Sequence, residues 1–120
     1  MNFIAPISLD HLFSQAESDD LYLKLVEQIN KDFNLANDGT DFPPRITPDE
    51  LKMQLHEKMY KMIQYKSNEY LNLLYIIDVA ENEINKLDGS DLVILSEQVS
   101  FLILKREWQK VWFRNKYVPL

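Results

Sequence analysis

At 120 residues, with 46% hydrophobic and 27% charged side chains, the chain has the make-up of one globular domain and enough length to bury a core. It has no cysteine and two histidines, which excludes disulfide frameworks, cysteine-held zinc, Fe–S clusters, thiol nucleophiles and a histidine-rich metal site. The net charge of −6 is uneven: residues 1–50 carry 3 basic and 10 acidic side chains, residues 51–90 carry 5 and 6, and residues 91–120 carry 5 and 3.

The first residues, MNFIAPISLDHLF, lack the basic start and apolar run of a signal peptide. Glu97 interrupts the longest apolar stretch, so no transmembrane segment is expected and a soluble, cytoplasmic protein is the default. With only 2 glycines, a turn-rich β fold is disfavoured against helices.

In chain order, a short helix is expected at 9–17 and a longer one at about 19–36. Ser18 offers a cap for the second, and Tyr22, Val26, Ile29 and Phe33 form its apolar stripe. The stretch NDGTDFPPR, within 37–46, collects Gly39, Pro43 and Pro44 and reads as a loop. TPDE at 47–50 is the strongest local signal: Thr47 suits the cap, Pro48 the first helical position, and Glu50 closes a capping box. No further stop appears before LDGS at 87–90, where Gly89 has the placement of a left-handed helix end. A rod of that length would run to about 60 Å at 1.5 Å per residue, so a kink is expected near Lys66–Asn68. Ser90 or Asp91 caps a last helix from about 91 to 117, and Pro119 follows. A turn this short forces antiparallel packing.

The fold expected is therefore all-α. It is an irregular four-helix bundle built on a long antiparallel hairpin (48–87 and 91–117) with two shorter N-terminal helices. Residues 1–120 read as a single domain, with an N-terminal helical region at 1–36, a loop at 37–46 and the hairpin at 47–118.

On a helical projection of 48–87, Leu55, Met59, Met62, Ile63, Tyr70, Leu73, Leu74, Ile77, Ala80 and Ile84 share one arc, together with Glu81. Asp78 falls on its flank. Around 70–80 the helix is apolar on its back as well, through Leu71, Tyr75, Ile76 and Val79, and requires cover on both sides. Asp78 and Glu81 then have two readings, with Glu81 the more inward. One is an ion pair with Lys105 or Arg106; the other is a carboxylate pair for acid–base work or metal binding.

Complete catalytic signatures are absent. Di-iron bundles need Glu-x-x-His twice, but Met53 and Ser8 stand three residues before His56 and His11. HEKMY at 56–60 is no zinc-protease motif, neither glycine loop has calcium-loop ligands, and two isolated glycines make no phosphate loop. No Gly-x-Ser-x-Gly elbow occurs.

KREWQKVWFRNKY, 105–117, sets five cations among four aromatic rings with Glu107 as the lone acid. Such a surface suits a protein hot spot, a single-stranded nucleic acid or a membrane surface. Basic residues near a helix C-terminus also oppose its dipole, and tryptophans a turn apart also suit a core.

The expected function is that of a non-enzymatic protein–protein interaction module of an assembly, regulatory or inhibitor type. Its partner is another protein or a second copy of itself, and its interface residues are Arg106, Trp108, Lys110, Trp112 and Arg114. A small-ligand or enzymatic bundle using Lys66, Tyr70, Asp78 and Glu81 is the alternative. Nucleic-acid binding through the last helix is a second one, disfavoured by the net charge. No metal or cofactor is expected.

Overall fold

Thr47 Oγ1 accepts the Glu50 N–H at 3.2 Å with Pro48 in the first turn, and from that cap starts one of six helices in the computed structural model, which describes residues 2–116. These are α1 (Leu9–Ser18), α2 (Tyr22–Leu35), α3 (Pro48–Tyr65), α4 (Ser67–Ile77), α5 (Glu81–Asn85) and α6 (Leu92–Lys116). No strand occurs among the described residues, and the fold is all-α. Ser8 caps α1 by accepting from the His11 N–H, and Asp91 caps α6 by accepting from the Ile94 N–H. The expected end near Tyr117 lies outside the described residues.

The single helix expected over 48–87 is three helices. The first break is at Lys66, as expected, with a non-helical φ of −135° and ψ of 57°. Asp38 holds it there: its carboxylate meets Lys58 at 2.9 Å and Lys66 at 3.3 Å, tying the 36–47 loop across the junction. Burial pushes the Asp38 carboxyl up, but the two lysines outweigh it and hold it below its usual range. The second break, at 78–80, was not expected. Asp78 is left-handed (φ 69°, ψ 50°), and Val79 N–H reaches back to the Leu74 carbonyl at 3.0 Å.

This stop is used three times. Asp20 (φ 56°) and Asn37 (φ 59°) are also left-handed, and the next N–H in each case bonds five residues back, Leu21 to Ala16 and Asp38 to Phe33. Short polar side chains tolerate this conformation, but glycine adopts it at lower cost. The chain instead places neither glycine there, so the left-handed end expected at Gly89 is not formed. The turn at Asp20 also moves the start of α2 from about 19 to Tyr22, and Ser18 ends α1 rather than capping α2. At Gly39 the approach is close: a Cβ there would stand 2.1 Å from Asn34 Oδ1 and would displace that side chain.

Asp20→Gly is therefore expected to stabilise the protein by about 0.5–1 kcal/mol. Asp78→Gly should gain less than Asp20→Gly, because it also removes an ion pair to Arg106, a modest loss at a side chain 78% exposed. Urea denaturation of both variants checks this; a destabilised Asp20→Gly would refute the conformational account.

Helix α6 is the hub. It packs against α3, α2, α1 and α4, and at 25 residues it is the longest of the described helices. The pairs Gln28–Arg114 and Asp32–Lys110 make α2 and α6 antiparallel. One buried cluster joins Leu12 and Phe13 of α1, Val26, Ile29 and Phe33 of α2, Leu55 and Met59 of α3, Leu73 and Ile77 of α4, and Ile103, Trp108 and Val111 of α6. Loop residues Phe42 and Ile46 complete it. Asn30 reads the loop backbone, donating to the Phe42 carbonyl and accepting its N–H, while the Tyr22 hydroxyl donates to the Ile46 carbonyl. Burial, with Glu17 and Glu50 nearby, pushes that phenol up to about 12. Helix α5 buries no residue fully.

Candidate functional site

The seam of α6 that faces the core repeats at helical spacing through Ser96, Val99, Ser100, Ile103, Leu104, Glu107, Trp108 and Val111, all buried. Its serines are satisfied locally, each hydroxyl donating to the carbonyl four residues back. Glu107 is not. It is fully buried, and neither oxygen has a donor in hydrogen-bonding geometry. Lys110 Nζ lies 3.2 Å from Oε1 but is committed to Asp32 Oδ2 at 2.9 Å.

Asp32, on the buried face of α2, is the centre of this cluster. Its Oδ2 accepts from Lys110 and from Gln28 Nε2 at 3.1 Å, and Arg114 donates to Gln28 Oε1 at 2.8 Å. Burial pushes the Glu107 carboxyl up to about 9, reinforced by Asp32 beside it. Burial acts on Asp32 in the same sense, but hydrogen bonds from Glu107, Lys110 and Gln28 prevail and hold it below its usual range. Of the two, Glu107 is the one whose surroundings favour the protonated form and Asp32 the one held as carboxylate, with Lys110 its counter-ion. Two carboxylates and one ammonium would otherwise leave an uncompensated charge in the core.

A proton held this way is the raw material of acid–base catalysis, but Glu107 has no exposed surface and Lys110 is paired with Asp32. Gln28 and Arg114 connect the cluster to the outside, at a cleft of about 170 Å³ that Lys24, Glu27 and Lys31 also line.

Of the interface residues expected on α6, Lys110 is turned inward, Arg114 reaches Gln28, and Trp108 and Trp112 are buried. Trp108 Nε1–H donates to Gln15 Oε1 of α1 at 3.0 Å. Arg106 is half-buried and grips the end of α4: Nε donates to the Asp78 carbonyl and Nη2 to Asp78 Oδ2, both at 3.1 Å. The ion-pair reading of Asp78 is the one realised, with Arg106 as partner.

Of the four pocket residues of the alternative, Asp78 and Glu81 line one groove between α4 and α5. Lys66 pairs with Asp38, Asp78 with Arg106, and Tyr70 is half-buried, its phenol pushed up by burial. Glu81, expected as the more inward carboxylate, is exposed. The reason is the left-handed residue at 78, which resets the helical phase, so Ala80 and Glu81 leave the arc that a continuous helix would give them.

The surface exposes another feature. Leu71 and Tyr75, one turn apart on α4, are 61% and 84% exposed. Beside them Leu74, Val79, Ile84 and Glu81 line a groove of about 420 Å³ between α4 and α5. On the far side of the 78–80 turn, Leu102, Lys105, Arg106 and Glu83 line a second groove of about 340 Å³. Among the described residues no cluster of three His, Asp or Glu could hold a metal ion, and no helix is long and apolar enough to cross a membrane.

Sequence reasoning misses Glu107 and Asp32 when it weighs each as a charge and not by its phase. Glu107 is spaced from Ser100, Ile103, Leu104 and Val111 by three, four or seven residues, and that spacing is the signal that places it inside. Comparison of the chain with family models, with curated proteins and with solved structures finds no match to any of them.

Proposed function

We propose that this protein is a non-enzymatic protein-interaction module whose contact face is the apolar surface of α4 and α5, and that a second copy of the chain is its occupant. One observation carries the reading: Leu71 and Tyr75 stand exposed side by side above a groove floored by Leu74, Val79 and Ile84. Contiguous apolar surface of this kind costs solubility unless it is covered. Charge favours a like copy, because Glu81 lines this groove and Lys105 lines the neighbouring one across the same turn. A non-enzymatic role is supported by the burial of Glu107 and by the engagement of Lys66 with Asp38 and of Asp78 with Arg106. Nucleic-acid binding is less well supported, since Lys110 and Arg114 are engaged with internal acceptors.

Light scattering over a concentration series tests this. A mass twice the 14.3 kDa of the chain is expected, returning to the single mass in Leu71→Asp/Tyr75→Asp with helical circular dichroism unchanged. A wild-type protein that stays at the single mass up to about 1 mM, a Kd weaker than about −4 kcal/mol would give, would overturn the self-association.

A further inference from the structure

We propose that the cleft between α1 and the last third of α6 is a peptide-binding groove for an extended segment of a partner protein. The segment carries a basic residue, an aromatic residue next to it and a proline three residues further on, and residues 2–7 of this chain fill most of that role in cis. This site is separate from the α4–α5 face and does not depend on it.

Residues 2–7 have no regular secondary structure, and among the described residues none makes a backbone–backbone hydrogen bond. What holds them is what holds a bound peptide. Two side chains turn inward: Phe3, 5.4 Å from Trp112 and 5.5 Å from Phe113 between ring centres, and Pro6, which is buried. Ile4 and Ile7 point outward and stay exposed. Side chains of α1 read the backbone: Gln15 Nε2 donates to the Ile4 carbonyl at 3.0 Å, and His11 Nδ1 accepts the Ile7 N–H at 3.2 Å. The reader is set in advance. Trp108, buried and fixed, donates to Gln15 Oε1, which leaves the amide nitrogen facing the groove.

The cis segment does not fill the space. About 420 Å³ remains open beside it, walled by Asn2, Ser14, Ser18, Asp19 and the two tryptophans. Asp19 is the one charged residue in that lining, and of the cis residues that share the space with it, Asn2, Phe3 and Ile4, Asn2 is the one with a polar side chain. A cation at the position of Asn2 therefore complements the groove better than the asparagine does. An occupant of that composition competes with the chain's own segment once its concentration approaches the effective concentration of the tethered copy, which keeps the aromatic surface covered in its absence.

The test uses the full chain and two synthetic seven-residue peptides with blocked ends, the native sequence of residues 2–8 and the same peptide with lysine in place of its first asparagine. Binding is followed by tryptophan fluorescence and by the indole N–H resonances of Trp108 and Trp112. Phe3→Ala, which vacates the aromatic anchor site, should bind the native peptide saturably and at least tenfold more tightly than wild type does. The lysine peptide should bind several-fold more tightly still, an advantage lost in Asp19→Asn, and Gln15→Leu should weaken both. If Phe3→Ala proves poorly folded, the lysine peptide must still displace the cis segment in the wild-type protein and shift the indole resonances at millimolar concentration. No saturable binding in either protein, or binding indifferent to Gln15 and Asp19, overturns the proposal.

Discussion

Lys110→Met is expected to lower the unfolding free energy at pH 7 by about 3–5 kcal/mol, read from urea denaturation followed by tryptophan fluorescence. Methionine keeps the length and apolar stem of the side chain, so the loss isolates the ammonium. Without it, Asp32 stays buried beside Glu107 with only Gln28 and the shared proton to stabilise its charge. For a chain of this size the total is on the order of 5–15 kcal/mol, so the variant approaches the limit of folding. The sign can be checked with pH. The Asp32 carboxyl is held below its ordinary range, so its contribution is present above about 3.8, the unfolded value, and is lost as pH falls through its folded value. The gap between Lys110→Met and wild type should therefore narrow in acid. A second check is Asp32→Asn/Lys110→Met, which removes both charges and should recover much of the loss, a coupling of several kcal/mol in a double-mutant cycle. A loss under about 1 kcal/mol would mean that Lys110 does not compensate the pair.

How much of this is legible in the sequence depends on whether a feature is local. The TPDE start of α3 and the Asp91 cap are short-range events that depend on a few neighbouring residues. The all-helical class follows from the same signals repeated along the chain. Asp78 marks where local reading stops. An aspartate within an apolar run reads as a side chain on a helix flank, yet here its backbone ends the helix and its carboxylate secures Arg106 from 28 residues away. Three left-handed ends at Asp or Asn and none at glycine defeat the usual marker for such stops. Every projection past residue 78 then inherits the wrong phase, which is why Glu81, read as the more inward carboxylate, is exposed.

The Asp32–Glu107 pair is hidden for a different reason. Neither residue is informative alone, and the partners are 75 positions apart. Their proximity follows only from the antiparallel alignment of α2 and α6 that Gln28–Arg114 and Asp32–Lys110 define. As sequence, KREWQKVWFRNKY reads as a basic surface with one stray acid. In the fold that acid is the innermost charged side chain, and Lys110 beside it is drawn in to meet Asp32. Inward phase on the seam of α6, and not net charge, decides which members of such a run face water.

Glu107→Gln should make the protein more stable than wild type in mild alkali and no different in mild acid. The folded protein holds the Glu107 proton up to about pH 9, whereas an unfolded chain releases it near 4.5. A group raised in the folded state contributes fully below its unfolded value, and that contribution is lost progressively as pH rises toward the folded one. Wild type should therefore lose stability between about pH 5 and 9 from this residue alone. At about 1.4 kcal/mol for each pH unit the ceiling at pH 8 is several kcal/mol, and sharing of the proton with Asp32 brings the expected difference to about 2 kcal/mol. Glutamine offers Asp32 an N–H donor in place of the carboxylic proton, and that donor does not titrate. Urea midpoints of the two proteins from about pH 4 to 9 should coincide at the acid end and separate steadily, with the variant higher. Parallel curves across the range would mean that Glu107 ionises in the folded core, with Lys110 shared between both carboxylates rather than committed to Asp32. The cluster would then be a conventional buried ion triad.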